Sequence, residues 1–428
     1  MTTQLSDRVI IIGGGLAGLA LAQGLQKADP PIPFHIFERD TSATYRAQGY
    51  RIRIWGDGAD ALKHLLPEHL WTAFEATCAQ LADGARKLDA LTNEVGEMAI
   101  PKGALPSGTP YNADRATLRS VLLAGLEDKI SFGKVFEGYE VDKNTGAVSV
   151  QFADGTVEKG RILVGADGVR SVVRKSFLPE LKSLDSEGRA IFGKTYLDKM
   201  GVLEQVSSHL TSGGIVITSG EHGKQLKLFS EAIYFNRGLE GAAGFELPPN
   251  YIYWVLCLRS DLVADGRLEE RNFLNLDSTE SVKLAGDLTA DWNEKVRSVF
   301  DNQNPDATST LSFFICDPEN FKSSWENLRR ERAGEPVVLL GDSTHPMPPV
   351  GAVGANTAFQ EASDLFDTLV RMYNTSSPSS TGAEEELRNY ETRLVDRAIE
   401  SIRKSTAGAG NFWGMRPLAE LKPAMVWR

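Results

Sequence analysis

Within residues 8–12, RVIII, the last four form an unbroken β-branched run. Apolar on both faces, such a run predicts a strand buried inside a parallel sheet. Gly13, Gly14 and Gly15 break it, and from Leu16 the apolar positions Leu16, Leu19, Ala20 and Leu25 follow helical spacing. Asp29, Pro30, Pro31 and Pro33 end that helix, and FHIF (34–37) predicts a second strand closing on Glu38. The pattern is strand, glycine turn, helix, strand: a βαβ unit.

Farther on, GYRIRI (49–54) alternates like a half-exposed strand, and RATLRSVLLAGL (115–126) sets Leu118, Leu122 and Leu126 on one helix face. AVSVQFADGTV (147–157) predicts a hairpin turning at Asp154 and Gly155, and RILVGADG (161–168) a buried strand ending in a turn. The style changes from about 176 to 330. IFGKTYL, GGIVITSG, KLFSEAIYFN and YIYWVLCLR are aromatic, strand-like and separated by turns. They predict a mostly antiparallel sheet presenting one face to a pocket. Residues 280–300 predict a helix.

Near 337 the βα style returns, with VVLLGD as a strand and GANTAFQEASDLFDTLVRMY as a long helix. Residues 374–386 read as a polar, low-complexity loop and 384–405 as a final helix, before an apolar tail able to dock. No internal repeat is visible. The expected fold class is therefore α/β. A discontinuous Rossmann-type domain, residues 1–175 and 331–428 with the C-terminal helices, is interrupted by a β-rich substrate domain, residues 176–330.

Composition narrows the classes. A chain of 428 residues exceeds one ordinary core, and 42% hydrophobic with 24% charged residues is the balance of a folded protein. A net charge of −11 disfavours a nucleic-acid partner. Cys78, Cys257 and Cys316 are too few and too scattered for a disulfide framework or zinc site. They suggest a reducing, cytoplasmic setting. The six histidines show no metal-ligand spacing, so no metal is expected. MTTQLSDR lacks the pattern of a signal peptide, and the apolar opening stretch is too glycine-rich for a membrane span, which needs about 20 strongly apolar residues.

The opening unit carries the first chemistry. Gly13-x-Gly15-x-x-Gly18 follows a strand and starts a helix. Gly13 suits a tight turn, Gly15 lets backbone approach a pyrophosphate, and Gly18 lets helix and strand pack closely. The helix N-terminus offers unpaired N–H groups to phosphate. Glu38, 20 residues beyond Gly18, can hold ribose hydroxyls and disfavours a 2′-phosphate, which points to FAD or NAD rather than NADP in this turn. The competing reading is a purely structural glycine turn.

Two later segments, GADGVRSVVR (165–174) and VVLLGDSTHPMPPVGAVGAN (337–356), complete a set. With them the chain resembles the single-component FAD-dependent aromatic monooxygenases, the group A, para-hydroxybenzoate hydroxylase-like family. In style it is nearest to the tetracycline-inactivating and fungal secondary-metabolite branch. All three family fingerprints stand in family order. Asp342 ends a buried strand, where it can accept from a ribityl hydroxyl of FAD or cap the following turn. Three prolines stiffen the segment from Pro346 to Gly354, and its glycines let backbone lie against a flat ring. Gly354 and Asn356 begin the long helix, whose N-terminus can stabilise negative charge on a reduced flavin.

The resemblance extends to further positions. It implies that Asp167, with Gly168, Ser171 and Arg174, lies near the pyrophosphate. Arg174 equally reads as a surface helix residue. Arg39 follows Glu38 near the adenosine end, Arg46 stands near a position assigned to the nicotinamide cofactor, and Arg115 matches an arginine reaching FAD from a helix start. Arg53 replaces an acidic residue beside the flavin, which suggests a cation at the isoalloxazine or substrate edge. Each of these arginines can also be a solvated charge. His345 is a candidate base or a hydrogen-bonded loop residue, and Arg53 is the other candidate for a catalytic role. Alternation places Phe192, Lys194 and Tyr196 on one strand face, either lining the substrate pocket or forming a polar outer face.

A second Gly-x-Gly-x-x-Gly, the Trp-x-Trp-x-Ile-Pro of flavin halogenases and a Cys-x-x-Cys pair are all missing from the sequence. The resemblance then implies an FAD-dependent monooxygenase reduced by NADPH or NADH. With O2 it would form a flavin C4a-hydroperoxide and hydroxylate or epoxidise an aromatic or polycyclic small molecule. The alternatives are an FAD-dependent oxidase or dehydrogenase without oxygen insertion, and a non-catalytic flavin-binding protein.

Overall fold

The computed structural model describes residues 7–43, 50–81, 85–97, 108–199, 201–218, 226–239, 244–263, 265–332, 334–374 and 380–424. Its nucleotide-type half is a five-stranded sheet. The strand order is Val337–Leu339, Ile162–Gly165, Val9–Ile12, Phe34–Phe37, Ile130–Ser131, and every neighbouring pair is parallel. Val9–Ile12 lies near the centre and is buried throughout, as its unbroken apolar run demands. The helix Leu16–Lys27 leaves this strand through the glycine turn and packs against the long helix Val353–Asn374. The expected hairpin is present as Val148–Phe152 and Val157–Gly160, inside a separate three-stranded sheet with Phe136–Val141.

The second half is a seven-stranded sheet, ordered Ser309–Cys316, Ser183–Tyr196, Tyr251–Arg259, Lys227–Ile233, Gly214–Thr218, Ala85–Asp89, Val95–Glu97. It is antiparallel except where Gly214–Thr218 runs parallel to Ala85–Asp89. Two of its strands thus come from before residue 175, so the expected boundary at 175/176 does not divide the sheets. Those strands, ARKLD and VGE, are short and polar, carrying no apolar run to announce them.

One face of this sheet packs Ile191, Ile217, Trp254 and Leu256 against the helices Ser278–Leu288 and Glu294–Asp301. The other face, with Phe192, Tyr251 and Tyr253, joins the large core shared with the five-stranded sheet. The single helix expected over 280–300 is two. Asn293 caps the second through Lys295 N, and Trp292 is buried in the break. The last helix runs Ser380–Trp413 instead of 384–405. Leu387, Tyr390, Leu394, Ala398 and Ile402 are buried at helical spacing, and the stripe continues to Ala409 and Trp413. The helix therefore also takes in 380–386, expected as loop. The tail docks through Met415 and Leu421, with Leu184 bridging Pro423.

Candidate active site

The three glycines of the opening turn are bare for different reasons. Gly13 has φ +110°, and a Cβ there would stand 2.3 Å from Ala166 O. A Cβ on Gly18 would stand 2.3 Å from Gly13 O. Packing explains both. Gly15 has an ordinary extended backbone, φ −77° and ψ −179°, and a Cβ there would meet no protein atom within 4 Å. Its bareness faces open space at a helix N-terminus, where a diphosphate would lie. Glu38 is buried beside this turn. Its Oε2 accepts from Gly14 N at 2.7 Å and Oε1 from Asp40 N at 2.9 Å. Each oxygen keeps a second lone pair for a ribose hydroxyl. Arg39 is exposed, and Arg46 lies outside the described residues.

The fold brings the late segment onto the same edge: a Cβ on Gly341 would lie 3.7 Å from Ala17 Cβ. Asp342 lies in the turn Gly341–Ser343, just after the strand Val337–Leu339, and is exposed. Among the described residues no protein donor engages its carboxylate, so it is not a cap. It is open to solvent, yet protein stands round it closely enough to push its carboxyl above the usual range against the charges of His345 and Arg115. Arg115 starts the helix Arg115–Leu123, which Asp114 caps through Ala116 N and Thr117 N. The Arg115 guanidinium lies 5.4 Å from the centroid of the Tyr50 ring.

Several anchors fix the loop after Asp342. Arg174 is buried, donating to Ser343 O at 2.8 Å and Val169 O at 2.7 Å, so it is a brace and not a surface residue. Asp167 caps its own helix, accepting from Ser171 Oγ, Val172 N at 2.7 Å and Val173 N at 3.2 Å. Ser405 Oγ donates to Pro348 O at 2.6 Å. Asn356 is buried and spends its amide on backbone: Oδ1 accepts from Trp55 N at 3.1 Å, while Nδ2 donates to Arg53 O at 3.0 Å and Ala352 O at 2.7 Å. Ala352 holds φ +54°, an uncommon conformation for a residue with a Cβ. The loop is thus preorganised, and Asn356 ties it to the strand Arg51–Ile54. Gly354 has only Met347 Cγ, at 3.9 Å, near a would-be Cβ.

Of the two readings of His345, the geometry matches the hydrogen-bonded loop residue. It is fully buried, its Nε2 lies 2.5 Å from Glu361 Oε1, and Glu361 Oε2 accepts from Gly341 N at 2.8 Å. Burial opposes its charged form, but Glu361 and Asp342 outweigh that and raise its pKa. An enclosed imidazole committed to a carboxylate holds the loop.

The junction with the seven-stranded sheet carries a second set of polar residues. Arg51 and Arg53 share a strand face, and both donate to Glu231: Arg51 through a short contact, Arg53 at 2.7 Å. Asn112, opposite Arg53 in the paired strand Tyr111–Asp114, donates to Glu231 Oε1 at 2.9 Å. Burial, then the charge of Arg51, lowers the Arg53 pKa. Lys194 Nζ donates to Asp114 Oδ2 at 2.5 Å, and Tyr251 OH to the same oxygen at 2.9 Å. The Phe192 ring lies 5.1 Å from that of Tyr50. Phe192 and Lys194 therefore face inward, not outward, while Tyr196 is half-buried near the strand end.

Glu231, Asp114, Asn112, Tyr251 and Glu361 escaped the sequence reading. Glu231 had one signal, a lone acid inside the apolar strand KLFSEAI, and Asp114 another, its place before RATLR as a helix cap.

Residues 315–402 match the family model described as "FAD binding domain". A dual O-methyltransferase/FAD-dependent monooxygenase of Phaeosphaeria nodorum is 33% identical, over 97% of this chain and 47% of its own length. The chain spans about half the length of the first curated relatives it matches. Among solved structures, a protein of Photorhabdus luminescens described as an FAD-containing monooxygenase is 25% identical with a TM-score of 0.73, covering 95% of this chain and 98% of its own. The tetracycline destructase Tet(51) shares the fold, with 17% identity, a TM-score of 0.62, and 97% and 93% coverage. FAD is the cofactor of this fold, and the bare Gly15, the open Asp342 and the buried Glu38 fit it. Over nearly its whole length the chain is similar to proteins described as FAD-dependent or FAD-containing monooxygenases, and it carries a match to an FAD-binding domain.

Proposed function

We propose that the chain is an FAD-dependent monooxygenase that hydroxylates or epoxidises an aromatic or polycyclic small molecule. The balance is substrate–H + NAD(P)H + H+ + O2 giving substrate–OH + NAD(P)+ + H2O. The observation that carries the reading is the Asp342 carboxylate, unengaged by protein in the turn after a strand, beside a loop braced by Arg174, Ser405 and Asn356. A ligand of the nucleotide edge gives both features a use. FAD supplies the electron transfer and the oxygen activation. Gly13 to Gly18 and Glu38 would hold its diphosphate and ribose. Asp342 would hold the ribityl chain, with Arg115 beside it. The loop to Gly354 would lie along the ring, and the helix N-terminus behind it would favour negative charge there. Asp167 and Arg174 act from behind, fixing the turns. Phe192 and the aromatic residues around it would exclude water from the reacting face.

No helix among the described residues is long and apolar enough to cross a membrane. The test is the absorption spectrum of the purified protein, then NADPH and NADH added in air. Flavin bands that bleach with a nicotinamide and return with O2 support the reading. A colourless protein that takes up no added FAD overturns it. A yellow protein inert to both nicotinamides, even with aromatic substrates present, favours an oxidase.

A further inference from the structure

The polar junction has one positive charge more than it needs. Arg51 and Arg53 converge on a single carboxylate, Glu231, and their third partner, Asn112, is neutral. Among the described residues no second carboxylate lies within ion-pair distance of either guanidinium. The nearby pair Lys194 and Asp114 is balanced within itself. Arg51 Nε is buried without a hydrogen-bond partner. Holding two like charges on one strand face costs free energy, and Glu231 needs only one of them. The surplus stands out in a chain whose net charge is −11.

The surplus also has a direction. Glu231 is 1% exposed, Arg51 12% and Arg53 21%, so Arg53 is the outermost of the three. Its backbone carbonyl is bound by Asn356, and the turn Val350–Ala352 packs against its strand. The Arg53 guanidinium lies 5.9 Å from the centroid of Trp55, and Tyr50, Phe192, Phe229 and Tyr253 surround the junction. Planar apolar walls and an under-neutralised guanidinium suit a flat molecule bearing an anionic oxygen.

We propose that Arg53 binds an anionic oxygen of the substrate, an ionised phenol, enol or carboxylate on an aromatic body, and that Glu231 and Arg51 position it to do so. The proposal rests on the monooxygenase reading and narrows its substrate to acids. Where the oxygen is phenolic, a guanidinium beside it favours the ionised and more electron-rich ring, which suits oxygen insertion. Lysine would not replace Arg53, because the planar fork serves Glu231 and a second oxygen together.

The experiment uses the FAD-loaded protein and matched probes, read by calorimetry and by the shift of the flavin absorption bands. The probes are 1-naphthoate, its neutral isostere 1-naphthamide, and 2-naphthol. Two results support the proposal: naphthoate binding at least about tenfold more tightly than naphthamide, or naphthol tightening as much when pH rises through its own ionisation. The first identifies a carboxylate site, the second a phenolate site. In Arg53→Met the preference should shrink to within about twofold, with FAD content and Tm retained. Arg53→Lys should lose part of it. Equal binding of naphthoate and naphthamide with naphthol indifferent to its ionisation overturns the proposal, as do flat isotherms for all three probes or a full preference in Arg53→Met. The wild-type comparison stands even where a variant folds poorly. Flavin reduction is followed on the same samples. An anion preference in a protein that no nicotinamide reduces would sink the monooxygenase reading and spare this site; a working enzyme without the preference would do the reverse.

Discussion

At the nucleotide edge of the five-stranded sheet, polar and bare positions stand open; at the junction with the seven-stranded sheet they are spent on one another. Asp342 is exposed with no protein donor, and Gly15 faces empty space. Lys194, Asp114 and Glu231 are each buried and each bonded. Both regions hold charged side chains. They differ in what neutralises them: at the junction the protein itself, the surplus charge of Arg53 excepted, and at the edge, under the proposed function, a ligand. Outside Arg53, the same kind of substitution should therefore act on binding at the edge and on folding at the junction.

The widest gap lies inside the edge itself, between Gly13 and Gly15. Gly13→Ala forces a Cβ against Ala166 O at positive φ. Strain and overpacking together should cost about 2–6 kcal/mol and lower Tm with or without FAD. At the junction, Lys194→Met leaves the Asp114 carboxylate buried without its cation, a loss of about 3–5 kcal/mol in denaturant unfolding. Adding Asp114→Asn should restore much of it, since the pair then lacks both charges. If the double variant is no more stable than the single, the ion pair is not what holds this junction. Gly15→Val should leave the Tm of the FAD-free protein near wild type and weaken FAD by roughly a hundredfold, about 3 kcal/mol. An equal Tm loss in Gly13→Ala and Gly15→Val would erase the distinction between packing glycine and ligand glycine.

How much of this was legible in the sequence follows the same division. The glycine turn and Glu38 sit in one contiguous motif whose spacing suggests a job for each residue, and Asp342 lies in a segment that the family resemblance singles out. The Arg53–Glu231 contact joins residues 178 apart on strands of different sheets, and nothing local signals a partner so distant. Alternation placed Phe192 and Lys194 on one face but not inward or outward, because a buried ion pair makes a lysine look like a surface residue. The helix over 380–386 was hidden by polar composition, although Glu384 and Arg388 pair at i,i+4 there. His345 stood open in the opposite way. A histidine in a Pro- and Gly-rich loop reads as a base or as a hydrogen-bonded residue, and only packing shows that Glu361 has claimed it.

That claimed histidine makes the smallest prediction, and it tests whether the edge has a closed part behind its open one. His345 has a folded pKa above its ordinary 6.5 because Glu361, then Asp342, outweighs the burial that opposes its charge. A raised folded pKa means that the native state binds the proton more tightly than the unfolded chain does. The stabilisation is then complete below 6.5 and is lost as pH climbs through the folded value. Wild-type Tm should therefore fall over that window relative to His345→Gln, whose amide cannot titrate. FAD release should rise over the same window, because Glu361 also accepts from Gly341 N beside Asp342. Parallel Tm curves for the two proteins would mean that the imidazole is neutral in the fold and that the loop is held by packing and by Arg174 instead.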